Sequence, residues 1–210
     1  MSALWLTAQD NDGLFPPQPL VTHDLPADSL SAYNLLDSLP IPDHLLLQGE
    51  ADGNYYIGKA NKGGFTLFQL PDIGNIIQVE THDINGTGQA ELILHRSVRN
   101  GRSGWESGHA WHRETMEIYD VDQPALLLSF EYCQEQENWW TQYVEPEHDS
   151  IHYEEREVIE TGGEHWSECY TIEWDNGMLL FLPIAAGIAE AEEPFQEQLF
   201  RWTGEGFVQP

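Results

Sequence analysis

Basic residues are scarce in this sequence, which has 8 Lys and Arg but 36 Asp and Glu among its 210 residues, for a formal net charge of −28 at pH 7. Such a surface repels nucleic-acid phosphates and anionic membranes, because either would add negative charge to negative charge. We therefore expect neither nucleic acid nor membrane as a partner. The same field attracts a basic protein, although acidity can also serve solubility alone.

Long hydrophobic runs are also missing, since no stretch approaches the ~20 apolar residues of a transmembrane helix. The N-terminus carries no Lys or Arg ahead of an apolar segment, and Asp10 and Asp12 follow early. No signal peptide is predicted from this pattern. We expect a cytoplasmic location, or a periplasmic one if the N-terminus has been processed.

Cysteine is limited to Cys133 and Cys169. Two cysteines cannot make a disulfide framework, and their spacing is not that of zinc ligands. They are either two small buried residues or, in an oxidising compartment, a single bridge.

Recognisable catalytic motifs are absent from the sequence. It has no Gly-x-Ser-x-Gly elbow, no phosphate-binding glycine loop ending in Lys, and no His-Glu-x-x-His. Carboxylates are so abundant that a catalytic pair cannot be chosen from them. No catalytic residue is therefore assigned, and a binding protein is favoured over an enzyme.

Short segments rich in β-branched and aromatic residues predict strands from residue 54 onward. Turn residues at 61–64, 162–163 and 175–177 separate them. This predicts an all-β domain over 51–210 of about ten antiparallel strands in successive hairpins, propeller-like or sandwich-like. The predicted strands are 55–60, 65–70, 76–81, 90–97, 111–119, 126–132, 150–161, 168–174, 178–182 and a last pair around Gly204.

Residues 1–50 contain closely spaced prolines and predict an irregular lead-in packed on the domain. Within it, Asp28 or Ser29 can cap a short helix whose apolar residues follow helical spacing up to Pro40. A second short helical segment is predicted at 185–193.

The most specific chemical pattern lies between two predicted strands, at residues 83–91. Oxygen-bearing side chains occupy alternate positions there, with a glycine at position 6 and a backbone carbonyl at position 7. Calcium prefers six to eight such oxygen ligands in a tight loop. The alternative is a tight turn without an ion. The predicted ligands are Asp83, Asn85, Thr87, Gln89 and Glu91.

This segment resembles the calcium loops of FG-GAP or integrin-type β-propeller repeats, over residues 80–94. The resemblance implies that the five residues bind calcium between two strands. Position 5 is Thr87 where the family usually has Asp, so this loop has fewer anionic ligands and weaker affinity is expected.

The wider organisation is similar to that of small bacterial β-propeller-like proteins, some of which are immunity proteins or inhibitors of lysozyme and other cell-wall lytic enzymes. The similarity rests on residues 83–91, 118–122 and 201–207. It implies a protein that blocks a toxin or lytic enzyme.

Two histidine groups are candidate transition-metal sites. His109 and His112 flank Trp111, but residues i and i+3 of a strand point to opposite faces. A surface strand is the better interpretation. The second group is His148, Asp149, His152, Glu154 and Glu155.

Aromatic residues stand among glutamates in residues 131–157, as interface anchors do on an acidic surface. The alternative places the two tryptophans in the core at a strand end. The predicted partner-binding residues are Trp139, Trp140, Tyr143, Glu145 and Glu147.

Together these patterns predict a calcium-stabilised acidic module that binds a basic protein, as an immunity or inhibitor protein would. The alternative function is a hydrolase of carbohydrate or cell wall that uses Asp or Glu, with calcium in a structural role.

Overall fold

The computed structural model describes residues 14–39, 41–72, 74–84, 86–104, 106–143, 158–175, 177–184 and 196–209. These residues form an all-β fold, as predicted, with ten described strands within 51–210, the number expected there, and five more within residues 14–49. The strands are β1 (Leu14–Phe15), β2 (Gln18–Pro19), β3 (Val21–Pro26), β4 (Tyr33–Ser38), β5 (His44–Gly49), β6 (Tyr55–Asn61), β7 (Gly64–Gln69), β8 (Asn75–His82), β9 (Glu91–Ser103), β10 (Ser107–Asp120), β11 (Ala125–Tyr143), β12 (Val158–Asp175), β13 (Met178–Pro183), β14 (Gln198–Trp202) and β15 (Phe207–Val208).

Two antiparallel sheets contain these strands. The larger has ten strands in the order β1-β15-β14-β13-β12-β11-β10-β9-β8, with β2 paired to β11. The smaller has five strands in the order β3-β7-β6-β5-β4. From β8 to β15 each strand pairs with the next along the chain, so the predicted succession of hairpins is confirmed for that part.

The N-terminal segment differs from the prediction. Strands β3, β4 and β5 belong to the same sheet as β6 and β7, so residues 21–49 are not an irregular lead-in. The helix predicted to continue up to Pro40 is also wrong, because Ala27–Ala32 form a 3₁₀ helix and the next six residues form β4. Pro26 is compatible with a strand here since β3 is an edge strand, where a missing N–H is tolerated.

A second difference concerns Gly162 and Gly163, for which the sequence predicts a turn. They lie inside β12, a single strand of 18 residues, opposite Trp140 and Trp139 of β11. The indole of Trp140 occupies the space where a side chain at Gly162 would stand. Here the glycine provides room for a ring. The helical segment predicted at 185–193 lies outside the described residues.

Two hydrophobic cores lie on opposite faces of the central strands β9, β10 and β11. One contains Ile93, Met116 and Phe181 together with other residues of β9 to β15. The other joins Leu92 and Leu94 of β9 to Leu46 and its neighbours in the smaller sheet. Because both faces are covered, the first six residues of β9 are all buried.

A buried ion pair interrupts the second core. Arg96 and Glu117 have fully buried side chains, and the Arg96 Nε lies 2.6 Å from the Glu117 Oε2. The Tyr119 hydroxyl donates to the same carboxylate oxygen, and the guanidinium lies 5.5 Å from the centre of the Tyr55 ring. Burial raises the pKa of Glu117, and the adjacent Arg96 opposes this rise.

None of the described helical segments is long and apolar enough to cross a membrane.

Candidate functional site

The predicted calcium loop connects β8 to β9, whose terminal residues His82 and Glu91 are paired. Its two carboxylates each accept a backbone N–H from within the loop. The Glu91 Oε2 lies 2.7 Å from the Ile84 nitrogen, and the Asp83 Oδ2 lies 3.0 Å from the Gly88 nitrogen. Gly88 has a φ of +84°, so the glycine at position 6 permits the tight turn.

The loop is anchored at one end and exposed at the other. Ile84 and Glu91 are buried, with 6% and 3% of their surface exposed, whereas Asp83, Thr87 and Gln89 are exposed. Carboxylate, hydroxyl and carbonyl oxygens are the hard donors that calcium takes, so the described residues fit the ion chemically. Asn85 lies outside the described residues.

The outer halves of four central strands form an extended four-stranded ribbon, which we call the arm. It consists of residues 97–103 of β9, 107–114 of β10, 133–143 of β11 and 158–169 of β12. Beyond the two cysteines at its base, none of the arm residues whose side chains are described is buried, and none belongs to a hydrophobic core. The other described residues therefore leave both faces of the arm uncovered by a hydrophobic core.

The two predicted anchor tryptophans lie on opposite faces of the arm, because adjacent residues of a strand alternate. Trp139 is opposite Gly108 of β10, and Trp140 is opposite Gly162 of β12. Each indole lies over its glycine. The two residues are not core residues and do not form one patch.

We call the face that carries Trp140 the tryptophan face. Trp111, Gln136 and Trp166 stand directly opposite one another on it, in one row across β10, β11 and β12. Trp140 is 41% exposed, a large value for so big an apolar side chain. The predicted acidic residues Glu145 and Glu147 lie outside the described residues, and the side chain of Tyr143 is likewise not described.

A row of alternating histidine and glutamate side chains crosses the opposite face, near the core. The His95 Nε2 lies 3.3 Å from the Glu80 Oε1, and the His112 Nδ1 lies 3.2 Å from the Glu135 Oε2. Burial lowers the pKa of His95 although Glu80 and Glu114 oppose this effect. The net effect favours the neutral form of the His95 imidazole.

The row does not form a ready metal site. His109 and His112 point to opposite faces, as the sequence predicts. Among the described residues, one trio of metal-ligand side chains has atoms within 4.8 Å of one another, and it consists of Cys133, Glu135 and Cys169. The two sulfurs of this trio form a disulfide, so they are not available to a metal. The second histidine group, at 148–155, lies outside the described residues.

The disulfide marks the point where β11 and β12 separate. Cys133 and Cys169 are paired directly across the two strands, and the pairing continues outward from them along the arm. Inward of the bridge, β11 pairs with β10 and β12 pairs with β13. The larger sheet therefore splits at the base of the arm, with the bridge at the apex of the split.

A pocket of about 240 Å³ occupies this split. Two carboxylates, two amides and two aromatic rings line it. Its lining residues are Phe130, Glu131, Gln134, Glu168, Tyr170 and Gln198. Gln134 and Glu168 are directly opposite each other, one step inward from the Gln136–Trp166 pair, so the pocket continues the tryptophan face.

The pocket is electrostatically negative. Burial raises the pKa of Glu131, and the charge of Glu168 raises it further, while Arg113 lowers it. The Arg113 Nη1 is 3.8 Å from the Glu131 Oε2, and its guanidinium also lies 5.1 Å from the centre of the Trp111 ring. The Tyr170 hydroxyl donates to the Glu168 Oε1 at 2.8 Å, and burial followed by this bond raises the pKa of Tyr170 to about 12.

Comparisons of the chain with protein-family models, curated proteins and solved structures found no match. The sequence pattern does not reveal the pocket because its residues come from three strands, and no spacing connects Glu131 with Glu168. The one available signal was the pair of cysteines beside them, which could have been interpreted as a cross-strand bridge.

Proposed function

We propose that this chain is an acidic protein-binding module that docks on a basic protein through the tryptophan face of its arm. An immunity protein or an inhibitor that covers the active site of a toxin or lytic enzyme is the form of the function we favour. The observation that carries the proposal is the tryptophan face, on which the exposed Trp140 and the half-buried Trp111 and Trp166 lie beside a pocket with two carboxylates. Tryptophan is enriched at binding hot spots, and an arm with no core residues is free to supply an interface.

Charge and aromatic contacts have separate parts in this proposal. The net charge of −28 steers a basic partner and raises the association rate at low salt. The tryptophans bury apolar area in the complex and so slow its dissociation. Most differences in affinity between related complexes arise from the dissociation rate.

Calcium has a structural part in the proposal. Asp83, Thr87, the Gln89 carbonyl and Glu91 would hold the ion, with Asn85 as the remaining ligand, and it would supply a fixed positive charge that ties β8 to β9. The backbone N–H groups of Ile84 and Gly88 already orient the carboxylates of Glu91 and Asp83.

The hydrophobic cores on both faces of β9 to β11 support the sandwich-like alternative of the expected fold.

The Cys133–Cys169 bridge supports the periplasmic alternative for location, because disulfides persist in oxidising compartments.

The test measures binding and inhibition against a panel of basic cell-wall lytic enzymes, lysozyme among them, at low and high salt. We expect affinity to fall steeply as salt rises. Trp140→Ala should weaken binding by about tenfold or more through faster dissociation, as truncation of a hot-spot residue does. The control is Val21→Ala, which truncates a well-exposed apolar side chain of β3 outside the arm. Binding that ignores both salt and Trp140 would contradict the proposal.

A second candidate function is a hydrolase acting on carbohydrate or cell wall. Glu131 and Glu168 share one pocket, and the pKa of Glu131 is raised, as a general acid requires. A panel of glycan and cell-wall substrates separates the two functions, since an enzyme turns over and a stoichiometric blocker does not. Turnover that is lost in both Glu131→Gln and Glu168→Gln would establish the hydrolase.

A further inference from the structure

The pocket at the base of the arm has the chemistry of a site for one cationic side chain. Two carboxylates face a space of about 240 Å³, smaller than the ~300–1,000 Å³ usual for sites that enclose a whole small molecule. The amide oxygen of Gln134 can accept a hydrogen bond from a guest, and that of Gln198, which already accepts from the Gln209 amide, has a second lone pair. The volume therefore favours part of a larger partner over a free metabolite.

Within the part of the chain that the structure describes, the ion pairs give these two carboxylates one cation, Arg113. Its Nη1 lies 3.8 Å from the Glu131 Oε2, beyond hydrogen-bond distance, and its guanidinium also contacts the Trp111 ring. Burial and the neighbouring Glu168 both oppose ionisation of Glu131 and raise its pKa, while Arg113 favours ionisation. A cation entering the pocket would relieve both effects.

The shape of the lining distinguishes between cations. The centre of the Phe130 ring lies 4.0 Å from that of Phe181 and 5.3 Å from that of Phe200, so the ring is held in place, and Tyr170 is buried and fixed by its bond to Glu168. Flat rings beside carboxylates suit a planar guanidinium, which stacks on aromatic faces and donates in parallel to carboxylate oxygens. The ammonium group of lysine lacks this planar arrangement of parallel N–H donors.

We propose that this pocket binds an arginine side chain of the protein partner, as the specificity site of the docking surface. The inference rests on the proposed function and deepens it. The tryptophan face supplies contact area, and the pocket selects a partner that presents arginine next to an apolar surface. The disulfide at the apex holds the two walls of the pocket together.

The test uses the full chain with its bridge intact and three acetylated, amidated tripeptides, Gly-X-Gly, in which X is arginine, lysine or citrulline. Binding is followed by NMR chemical shifts of the side-chain amides of Gln134 and Gln198. We expect arginine to bind about tenfold more tightly than citrulline, which has the same shape without the charge, because hydrogen bonds to charged groups are the stronger ones. Lysine should fall between them.

Glu131→Gln and Glu168→Gln should each weaken arginine binding by about tenfold. The matched control is Glu173→Gln, which removes the same charge from an exposed position of β12 outside the pocket and should change binding by less than about twofold. Equal losses in all three variants, or equal binding of arginine and citrulline, would overturn the inference. Thermal melts identify any variant that fails to fold. If one of the two pocket variants does not fold, arginine binding by the other one tests the inference.

Failure of the inference and failure of the proposed function give different results. If a basic enzyme binds through Trp140 but ignores Glu131→Gln and Glu168→Gln, the docking surface stands and the arginine site is wrong. If the arginine peptide binds the pocket but no basic protein binds the chain, the site stands and the proposed function is wrong.

Discussion

The inner and outer halves of β9 belong to one strand but to two different environments. Residues 91–96 are all buried between two cores, whereas residues 99–103 are all exposed. The inner half carries Leu92, Ile93 and Leu94, and the outer half carries Arg99, Asn100 and Arg102. A strand that is covered on both faces needs apolar residues at consecutive positions, while an uncovered one does not. One continuous strand thus links a stable interior to an accessible surface.

Two arginines of β9 show the same contrast between a buried and an exposed environment. Arg96 is fully buried and paired with Glu117, and Arg99, three positions further, is exposed. The position in the fold and not the residue type decides what a substitution costs. Substitutions in the interior should therefore lower the free energy of unfolding by more than substitutions in the arm.

Arg96→Leu should lower the free energy of unfolding by about 3–5 kcal/mol, because it leaves Glu117 charged and unpaired in the interior. Arg99→Ala should change it by no more than about 0.5 kcal/mol. Urea unfolding of both variants measures the difference. A triple variant with Arg96→Met, Glu117→Leu and Tyr119→Phe removes both charges and the hydroxyl of the buried network, although the Gly74 carbonyl loses its Arg96 donor, and should recover much of the loss. Similar costs for Arg96 and Arg99 would refute the division.

Replacing both cysteines, as Cys133→Ser with Cys169→Ser, should cost about 2–4 kcal/mol, since the bridge closes a long segment of chain in the unfolded state. The paired strands of the arm should also exchange their amide hydrogens faster, while those of β9 residues 92–95 should follow the global stability. Hydrogen exchange monitored by mass spectrometry tests this. Uniform acceleration across interior and arm would show that the bridge has no local role.

Calcium should raise the melting temperature relative to excess chelator, because an ion that binds the folded state alone stabilises it. At a free concentration of about 100 times its dissociation constant the gain is about 2.7 kcal/mol. Asp83→Ala should abolish the shift, and Asp72→Ala, an exposed acid outside the loop, should preserve it. A melt indifferent to calcium in the wild-type protein would remove the ion from the proposed function.

Gly162→Ala should cost about 1 kcal/mol, because the new methyl group occupies the space of the Trp140 indole. The substitution should add nothing in a Trp140→Ala background, so a double-mutant cycle isolates the contact. Tryptophan fluorescence should report a more exposed indole in the single variant. Full additivity of the two substitutions would show that Trp140 does not rest on this glycine.

His95 should make stability depend weakly on pH. Its pKa in the folded state is lowered by burial, so the unfolded chain binds more protons and the folded protein loses stability as pH falls through the histidine range near ~6.5. Glu80, Glu114 and Tyr132 face this imidazole. Comparing melts at about pH 7.5 and about pH 5.5, on either side of that range, for the wild type and His95→Gln isolates the contribution. The variant should lose less stability on acidification than the wild type, and the opposite order would contradict the lowered pKa.

Much of the strand pattern could be predicted from local sequence. The strands predicted at residues 55–60, 65–70 and 178–182 correspond to β6, β7 and β13. Within β12, Tyr170, Ile172 and Trp174 are more buried than Glu173, which is the alternation of a half-buried strand. These elements follow period-two patterns bounded by turn residues, which are signals contained in a few neighbouring residues.

Two local signals were misleading. Helical spacing at 30–39 competed with pairing to β5 and with the contact of Tyr33 and Tyr56, whose ring centres are 5.4 Å apart, and the tertiary contacts prevailed. The glycines at 162–163 resembled a turn, but they accommodate the rings of a neighbouring strand. The choice depends on residues that are distant in sequence.

The loop and the pocket also differ in how far the sequence could predict them. The oxygen pattern of residues 83–91 is visible in the chain itself, because the loop closes on nine consecutive residues. The pocket requires β11 and β12 to separate at the Cys133–Cys169 bridge. It also requires β14, which is two strands beyond β12 in the sheet, to contribute Gln198. Nothing in the spacing of Glu131, Glu168 and Gln198 predicts that meeting.

The sequence by itself determined the charge, the all-β composition and the chemistry of the short loop, since each depends on residue type or on near neighbours. Tertiary structure alone decided which face each tryptophan occupies, which arginine is buried, and where the sheet splits. Those outcomes depend on register between distant strands, and one step of register moves a side chain to the other face.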